Sequence, residues 1–153
     1  ALLRGLDAAA SYRFLKQLSI TSKLSLLRAY NRNIDDWLIL MPSDRLSNEL
    51  RYTFTSGKTF REPIIGVEFA NIFKQTRVPS DKNGRQDYKA APDGYNLFNL
   101  NASVNIHRGK YPVTAGIGVR NLFNVSYREY LNSFRYYADE AGRNIQIRLK
   151  FTL

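Results

Sequence analysis

Arginine and tyrosine residues are concentrated in one segment of the sequence, residues 124–143. A guanidinium group offers a planar set of donors that matches anionic oxygens, and tyrosine rings stack on flat ligands. The segment therefore suits an anionic ligand that carries an aromatic group, although the same side chains could simply hold a surface loop together. With one arginine from segment 74–94, the candidate ligand-binding residues are Arg77, Arg128, Tyr130, Arg135, Tyr136 and Tyr137.

Residues that support catalysis or metal binding are scarce. The chain has one histidine, His107, and no cysteine, whereas metal sites in proteins usually draw on clusters of these residues. The acidic pairs at 35–36 and 139–140 could bind calcium, but solvated loop charge accounts for them as well. No serine has a general base to activate it. The sequence therefore predicts no enzyme activity, no metal site and no cofactor.

The chain is basic and rich in aromatic residues, with a formal net charge of +10 and 13% Phe, Trp and Tyr. Basic and aromatic side chains together can bind nucleic acid, so a soluble nucleic-acid-binding β domain is one alternative function. Lys and Arg are nevertheless dispersed along the whole chain, and no nucleic-acid-binding motif is present. We therefore expect no nucleic-acid partner.

The elements that carry these residues show a two-residue period. In the last ten residues, the apolar set Ile145, Ile147, Leu149, Phe151 and Leu153 alternates with polar residues. Such alternation is typical of a strand with one apolar face. The pattern recurs and predicts seven strands, at residues 4–14, 18–30, 46–55, 63–73, 95–107, 112–123 and 144–153. No segment is long and apolar enough for a transmembrane helix.

The predicted connections alternate in length, with short ones at 15–17, 56–58 and 108–110 and long ones at 31–45, 74–94 and 124–143. Short turns at one end and long loops at the other are typical of an outer-membrane β-barrel, in which the short turns are periplasmic. Seven strands would leave two edges unpaired, which is costly in hydrocarbon. We therefore expect an antiparallel transmembrane β-barrel fragment that pairs with further strands.

Side-chain patterning agrees with a membrane barrel. Basic residues at alternate strand positions, such as Arg51, Arg120 and Arg148, would point into a polar lumen. The aromatic residues should form bands at the two membrane interfaces. The band at the short-turn end would contain Tyr12, Phe14, Tyr52, Phe54, Tyr111 and Phe151, and the band at the long-loop end Tyr30, Phe73, Tyr95, Phe98 and Phe123.

Motifs in the last third of the chain resemble those of TonB-dependent receptors. Residues 94–100 (GYNLFNL) resemble the start of an antepenultimate strand, and residues 118–124 (GVRNLFN) resemble a signature of the same family. Residues 142–144 (GRN) resemble the motif that leads into the final strand. The signature positions are Asn121, Leu122, Phe123, Tyr127, Gly142, Arg143 and Asn144. One departure is the last residue, Leu153, where the family usually has an aromatic residue.

The resemblance implies that residues 1–153 are the C-terminal part of a receptor barrel of about 22 strands in the outer membrane of a Gram-negative bacterium. It implies uptake of a scarce nutrient, most often an iron complex such as a siderophore or haem. TonB would supply the energy through a plug domain that, like the preceding strands, we expect to lie outside this chain. Outer-membrane lipid and the rest of the barrel are the expected partners. A passive porin or structural outer-membrane protein is the other alternative.

Overall fold

The structure is a computed structural model that describes residues 1–80, 90–107 and 111–151. It consists of one antiparallel sheet in which each long strand pairs with the next along the chain, in the order β1-β2-β4-β5-β6-β7-β8. The strands are β1 (Leu2–Arg13), β2 (Leu18–Asn31), β3 (Asp36–Trp37), β4 (Arg45–Thr53), β5 (Phe60–Ile72), β6 (Tyr95–Ile106), β7 (Val113–Arg120) and β8 (Asn144–Phe151).

All seven predicted strands are confirmed, as is the all-β antiparallel fold class. Two short elements were not predicted: β3, which pairs with the end of β2 inside the long segment 31–45, and a 3-10 helix at Ser133–Tyr136. Residues 81–89, the predicted short connection 108–110, and the last two residues, which include Leu153, lie outside the described residues. Among the described residues, no helix is long and apolar enough to cross a membrane.

The start of β5 differs from the prediction, which placed it at residue 63. The strand begins at Phe60, and its pairing with β6 shifts between Arg61 and Ile64. Pro63 lies within this bulge, where a residue without an N–H group is tolerated in a sheet, and Glu62 has a φ of 49°. The proline therefore marks an irregularity within the strand rather than its beginning.

The end of β7 also differs, because the strand stops at Arg120 and does not continue to residue 123. Asn121 and Asn124 have φ angles of 52° and 55°. Asparagine adopts this left-handed conformation more readily than most residues do. A residue in this conformation cannot continue an extended strand. The signature segment therefore forms a turn that opens the last long loop.

The register gives the sheet two chemically different faces. In the last hairpin Ile117 lies opposite Ile147, and Gly118 lies opposite Gln146. The apolar side chains of Ile145, Ile147 and Leu149 are 60–77% exposed, because no second layer covers this face in the described part of the chain. A soluble domain buries such a face against another layer, whereas a membrane barrel leaves it to lipid.

Candidate functional site

The last long loop begins with a turn that Asn121 holds. Its carboxamide donates to the Val125 carbonyl and accepts from the Val125 N–H, each at 2.8 Å. Its own N–H donates to the side-chain oxygen of Asn99 in β6 at 3.0 Å. Asn121 is 2% exposed, so these partners replace water and fix the direction in which the loop leaves the sheet.

The two ends of this loop meet at a second asparagine. The side-chain oxygen of Asn124 accepts from the Arg143 N–H at 2.8 Å. A Cβ atom on the neighbouring Gly142 would overlap this same oxygen, so any other residue here would displace the Asn124 side chain from its contact with Arg143. The segments 118–124 and 142–144, singled out in the sequence as family motifs, are therefore brought together by direct contact.

The middle of the loop folds across the polar face of the sheet. The Glu129 carboxylate accepts from Arg45 of β4 at 2.9 Å and from the Tyr95 hydroxyl of β6 at 2.8 Å. The Tyr95 and Tyr127 rings pack at a centroid distance of 4.3 Å. Tyr95 thus lies at the predicted end of the sheet but on its polar face, not in the lipid-facing aromatic band. Burial raises the pKa of the Tyr127 phenol, with the nearby Glu140 and Glu129 carboxylates adding to the shift.

Below the loop, the polar face forms a cleft of about 840 Å³. Part of its floor lacks large side chains, because Gly116 and Gly118 of β7 lie opposite Ser103 and Asn101 of β6. Charged and amide groups surround this floor, including Glu68, Asn99, Gln146 and Arg148. The expected polar interior face is present, and loop 124–143 stands at its mouth.

Arg135 lies inside the loop. Its guanidinium carbon is 4.3 Å from the centroid of the Tyr130 ring and 4.8 Å from that of Tyr136, and the guanidinium donates to the Tyr136 hydroxyl at 2.8 Å. Arg135 is 7% exposed and Tyr130 8% exposed. Cation–π contacts of a desolvated arginine are among the stronger ones, so these residues stabilise the loop.

Arg128 links the two halves of the loop. Its Nε donates to Asp139 at 2.5 Å, and a terminal nitrogen donates to the Arg135 carbonyl at 2.9 Å. Hydrogen bonds from Ser126 and then Arg128 lower the pKa of the Asp139 carboxyl. The Arg128 side chain remains 43% exposed, so it can still meet a ligand from the solvent side.

The exposed part of the loop is aromatic. Tyr137 is 84% exposed and Phe134 is 71% exposed. Phe134 lies within the short 3-10 helix, which Asn132 caps by accepting from the Phe134 N–H, and Tyr137 follows the helix. Of the candidate ligand-binding residues predicted from the sequence, Tyr137 and Arg128 are accessible, whereas Arg135 and Tyr130 are enclosed.

Arg77 belongs to a separate group of contacts. It donates to Asp44 at 2.9 Å, and its side chain is 18% exposed. The neighbouring Gln75 donates to the carbonyls of Met41 and Pro42. Segments 31–45 and 74–80 are thereby joined. The structure does not bring Arg77 into contact with the five other candidate residues.

Three residues that hold these loops through hydrogen bonds were not predicted from the sequence, namely Glu129, Asp44 and Gln75. Glu129 binds Arg45 across a separation of 84 residues, and no local pattern indicates such a pairing. In the described residues there is no group of three or more His, Cys, Asp or Glu that could hold a metal ion.

The fold is that of a β-barrel segment, and it is similar to part of a solved transporter structure. No family model and no curated protein matches the sequence. A solved structure described as "Copper transporter OprC" is similar, with a TM-score of 0.78 and 23% sequence identity. The match covers 96% of this chain and 22% of that chain, so this chain spans about a fifth of the length of the transporter it resembles.

Proposed function

We propose that this chain forms the C-terminal strands of a TonB-dependent receptor in the outer membrane of a Gram-negative bacterium. Short turns alternate with long loops, one face is apolar and uncovered, and the opposite face is polar, as in a lipid-embedded barrel. The family motifs support the same proposal, because Asn121, Asn124 and Gly142 have defined tasks where the two motifs meet. Further strands of the complete receptor would close the barrel, and TonB would act through its plug domain.

The observation that carries the proposal is the inward fold of loop 124–143 over the polar cleft. Glu129 ties the loop to β4 and β6, so the loop partly covers the entrance to the cleft. A passive pore has no need for a loop that is tied inward over this entrance and also carries exposed aromatic groups. A receptor that captures a scarce solute does, because preformed contacts raise affinity at low concentration.

The ligand class we propose is a negatively charged complex with flat groups, such as an iron–siderophore complex or haem. Tyr137 would supply a stacking face, and Arg128 would supply a charge-assisted donor. Arg135, Tyr130 and Tyr136 would act indirectly by keeping the loop in place. Arg77 would belong to a second part of the mouth, built by segments 31–45 and 74–80.

Copper is a second candidate, because the similar solved structure is described as a copper transporter. Copper favours thiolate, thioether and imidazole ligands. This chain has no cysteine, one methionine and one histidine. Met41 precedes β4 at the long-loop end, whereas His107 follows β6 at the opposite end, so the length of a strand of about 40 Å separates them. Copper ligation would therefore depend on residues outside this chain.

The experiment is an uptake assay with the complete receptor in cells that contain or lack TonB. Radiolabelled ferric catecholate, haem and copper are supplied in parallel, and we expect TonB-dependent uptake of one of the iron complexes. The variant Tyr137→Ala should reduce binding to purified receptor by about 1–2 kcal/mol, the scale of a lost aromatic contact. Tyr111→Ala, at the opposite end of the sheet, serves as the matched control.

Equal uptake with and without TonB would favour the porin alternative and refute the receptor proposal. TonB-dependent uptake of copper alone would retain the receptor and replace the ligand class. Unchanged binding in both Tyr137→Ala and Arg128→Ala receptors, with normal heat-modifiable gel mobility, would remove loop 124–143 from the ligand site.

A further inference from the structure

Two arginines lie opposite each other on the apolar face of the sheet. Arg4 of β1 pairs in register with Arg28 of β2, and the next residues on that face are Leu6 and Leu26. Both arginine side chains therefore leave the sheet on the lipid-facing side, not on the side of the cleft. Like charges directly opposite in a sheet are destabilising, so the pair is unfavourable unless an anion lies between or beside the two groups.

The position of this pair along the strands corresponds to a membrane interface. Leu18 at the short-turn end of β2 pairs with Tyr52, and Arg28 lies ten residues further along β2. At about 3.4 Å per residue and a strand tilt of about 40°, the Leu18–Tyr52 pair and the Arg4–Arg28 pair are about 25 Å apart along the membrane normal. This distance is the height of the apolar band of a barrel. Arg4 and Arg28 therefore lie where lipid headgroups begin.

Internal contacts neutralise only part of this charge. Arg28 makes a two-point contact with Asp44 at 2.6 and 2.9 Å, and Arg77 shares the same carboxylate at 2.9 Å. Arg4 makes no ion pair within the described part of the chain. Two guanidinium groups thus share the Asp44 carboxylate, and that of Arg4 has no carboxylate partner among the described residues. The Nε of Arg77 is buried without a hydrogen-bond partner among the described residues, which adds an unmet donor behind Arg28.

We propose that Arg4 and Arg28, with Arg77 behind them, bind a phosphate group of an outer-leaflet lipid. The inference rests on the proposed membrane barrel, because it needs this face to meet lipid. Phosphate matches the forked donors of arginine at two points. The orientation of the pair excludes a solute in the cleft, and its depth excludes acyl chains as the group recognised. A phosphate between Arg4 and Arg28 turns the like-charge repulsion into two attractions.

The test measures binding of lipid A to the complete receptor in zwitterionic-detergent micelles. Labelled bisphosphorylated lipid A is compared with the same glycolipid after removal of its phosphates, and inorganic phosphate is added as a competitor. Arg4→Gln should raise the apparent Kd for lipid A about tenfold or more, which is the scale of a lost charge-assisted hydrogen bond. Arg4→Lys keeps the charge but not the forked donors, so it should lose affinity but less than Arg4→Gln does. Lys16→Gln makes the same charge change at the exposed turn before β2 and should have no effect.

Wild-type affinity in the Arg4→Gln receptor would overturn the proposal, as would equal binding of the dephosphorylated lipid. Displacement of lipid A by millimolar inorganic phosphate would show a site for a free anion and would also overturn it. The proposed receptor function is read separately, from TonB-dependent uptake by the Arg4→Gln receptor, which should remain normal. A complete protein that does not insert into lipid would refute both proposals, whereas normal uptake with unchanged lipid binding would refute only this one.

Discussion

Substitution of Asn121 should open loop 124–143 while the strands stay intact. The Asn121 side chain makes two hydrogen bonds to the backbone of Val125 at a site that is 2% exposed. Truncation of the Asn121 side chain leaves the buried N–H and C=O of Val125 without partners. Each such loss destabilises a folded structure by about 1–3 kcal/mol. Because both groups belong to one residue, the two losses are not independent, and we expect the free energy of loop opening to fall by about 2–4 kcal/mol in total.

The backbone conformation at position 121 makes a second contribution to the stability of the loop, which a comparison of alanine with glycine separates. Asn121 has a φ of 52°, which alanine adopts at a cost of about 1 kcal/mol, whereas glycine adopts it without strain. Asn121→Gly should therefore destabilise the loop by about 2–4 kcal/mol, and Asn121→Ala by about 1 kcal/mol more. Asn121→Asp keeps the acceptor for the Val125 N–H but places a buried carboxylate against the Val125 carbonyl, so it should destabilise the loop at least as much as Asn121→Gly does.

Limited trypsin digestion of the complete folded protein measures this opening, since loop 124–143 contains Arg128 and Arg143. When reclosing is faster than cleavage, the cleavage rate follows the population of the open loop. A loss of about 2–4 kcal/mol corresponds to cleavage accelerated roughly 30- to 700-fold. Asn33→Ala, an exposed asparagine of another long segment, is the matched control and should leave the rate unchanged.

The order of the variants is the decisive result. The alanine variant should be cleaved faster than the glycine variant, and all three variants should be cleaved faster than the native protein. Equal rates for alanine and glycine would show that the left-handed backbone contributes nothing. A native-like rate for glycine would show that the carboxamide does not hold the loop, and the assignment of Asn121 as its anchor would be wrong.

Further predictions concern the lipid-facing strand, the loop carboxylate and the bridge to the sheet. Ile147→Arg should destabilise the inserted barrel by about 2–4 kcal/mol in urea unfolding, whereas Gln146→Arg on the polar face should be tolerated; equal effects would contradict the assignment of the faces. Since the pKa of Asp139 is lowered in the folded loop, its contribution should be present above the unfolded carboxyl value of about 3.9 and be lost as the pH falls through the lower folded value. The protection factors of the loop amides, which compare their exchange with that of an unstructured chain at the same pH, should therefore fall in acid, and Asp139→Asn should abolish this dependence. Glu129→Gln should cost at most about 1 kcal/mol, because the pair with Arg45 is partly exposed; a larger loss in urea unfolding would show a stronger bridge.

The sequence predicted the strands well because their signal is local. Alternation of apolar and polar residues fixes both the strand and its two faces, as in the pairing of Ile117 with Ile147. The irregular features escaped prediction for equally local reasons. Alternation of residue types shows neither the bulge at Pro63 nor the left-handed turn that begins at Asn121.

The site was less predictable, because composition cannot show how a side chain is used. The residues that suit an anionic aromatic ligand are also those that stack on and bond to each other within a loop. Arg135 could equally have faced solvent; its enclosure by Tyr130 and Tyr136 depends on the fold of the whole loop. Likewise, the pairing of Glu129 with Arg45 joins residues that only the assembled sheet brings together.

The two groups of loop contacts give the mouth of the barrel different mechanical properties. Segments 31–45 and 74–80 are joined through Asp44 and Gln75 to residues at the ends of neighbouring strands. Loop 124–143 is held to the sheet mainly by Asn121 at its base and Glu129 at its middle. Because opening of a loop requires the loss of only the contacts that cross to its neighbours, the Glu129 bridge can break while the turn at Asn121 stays closed. Entry of a solute into the cleft would therefore need only the middle of the loop to move, with Tyr137 carried on the moving part.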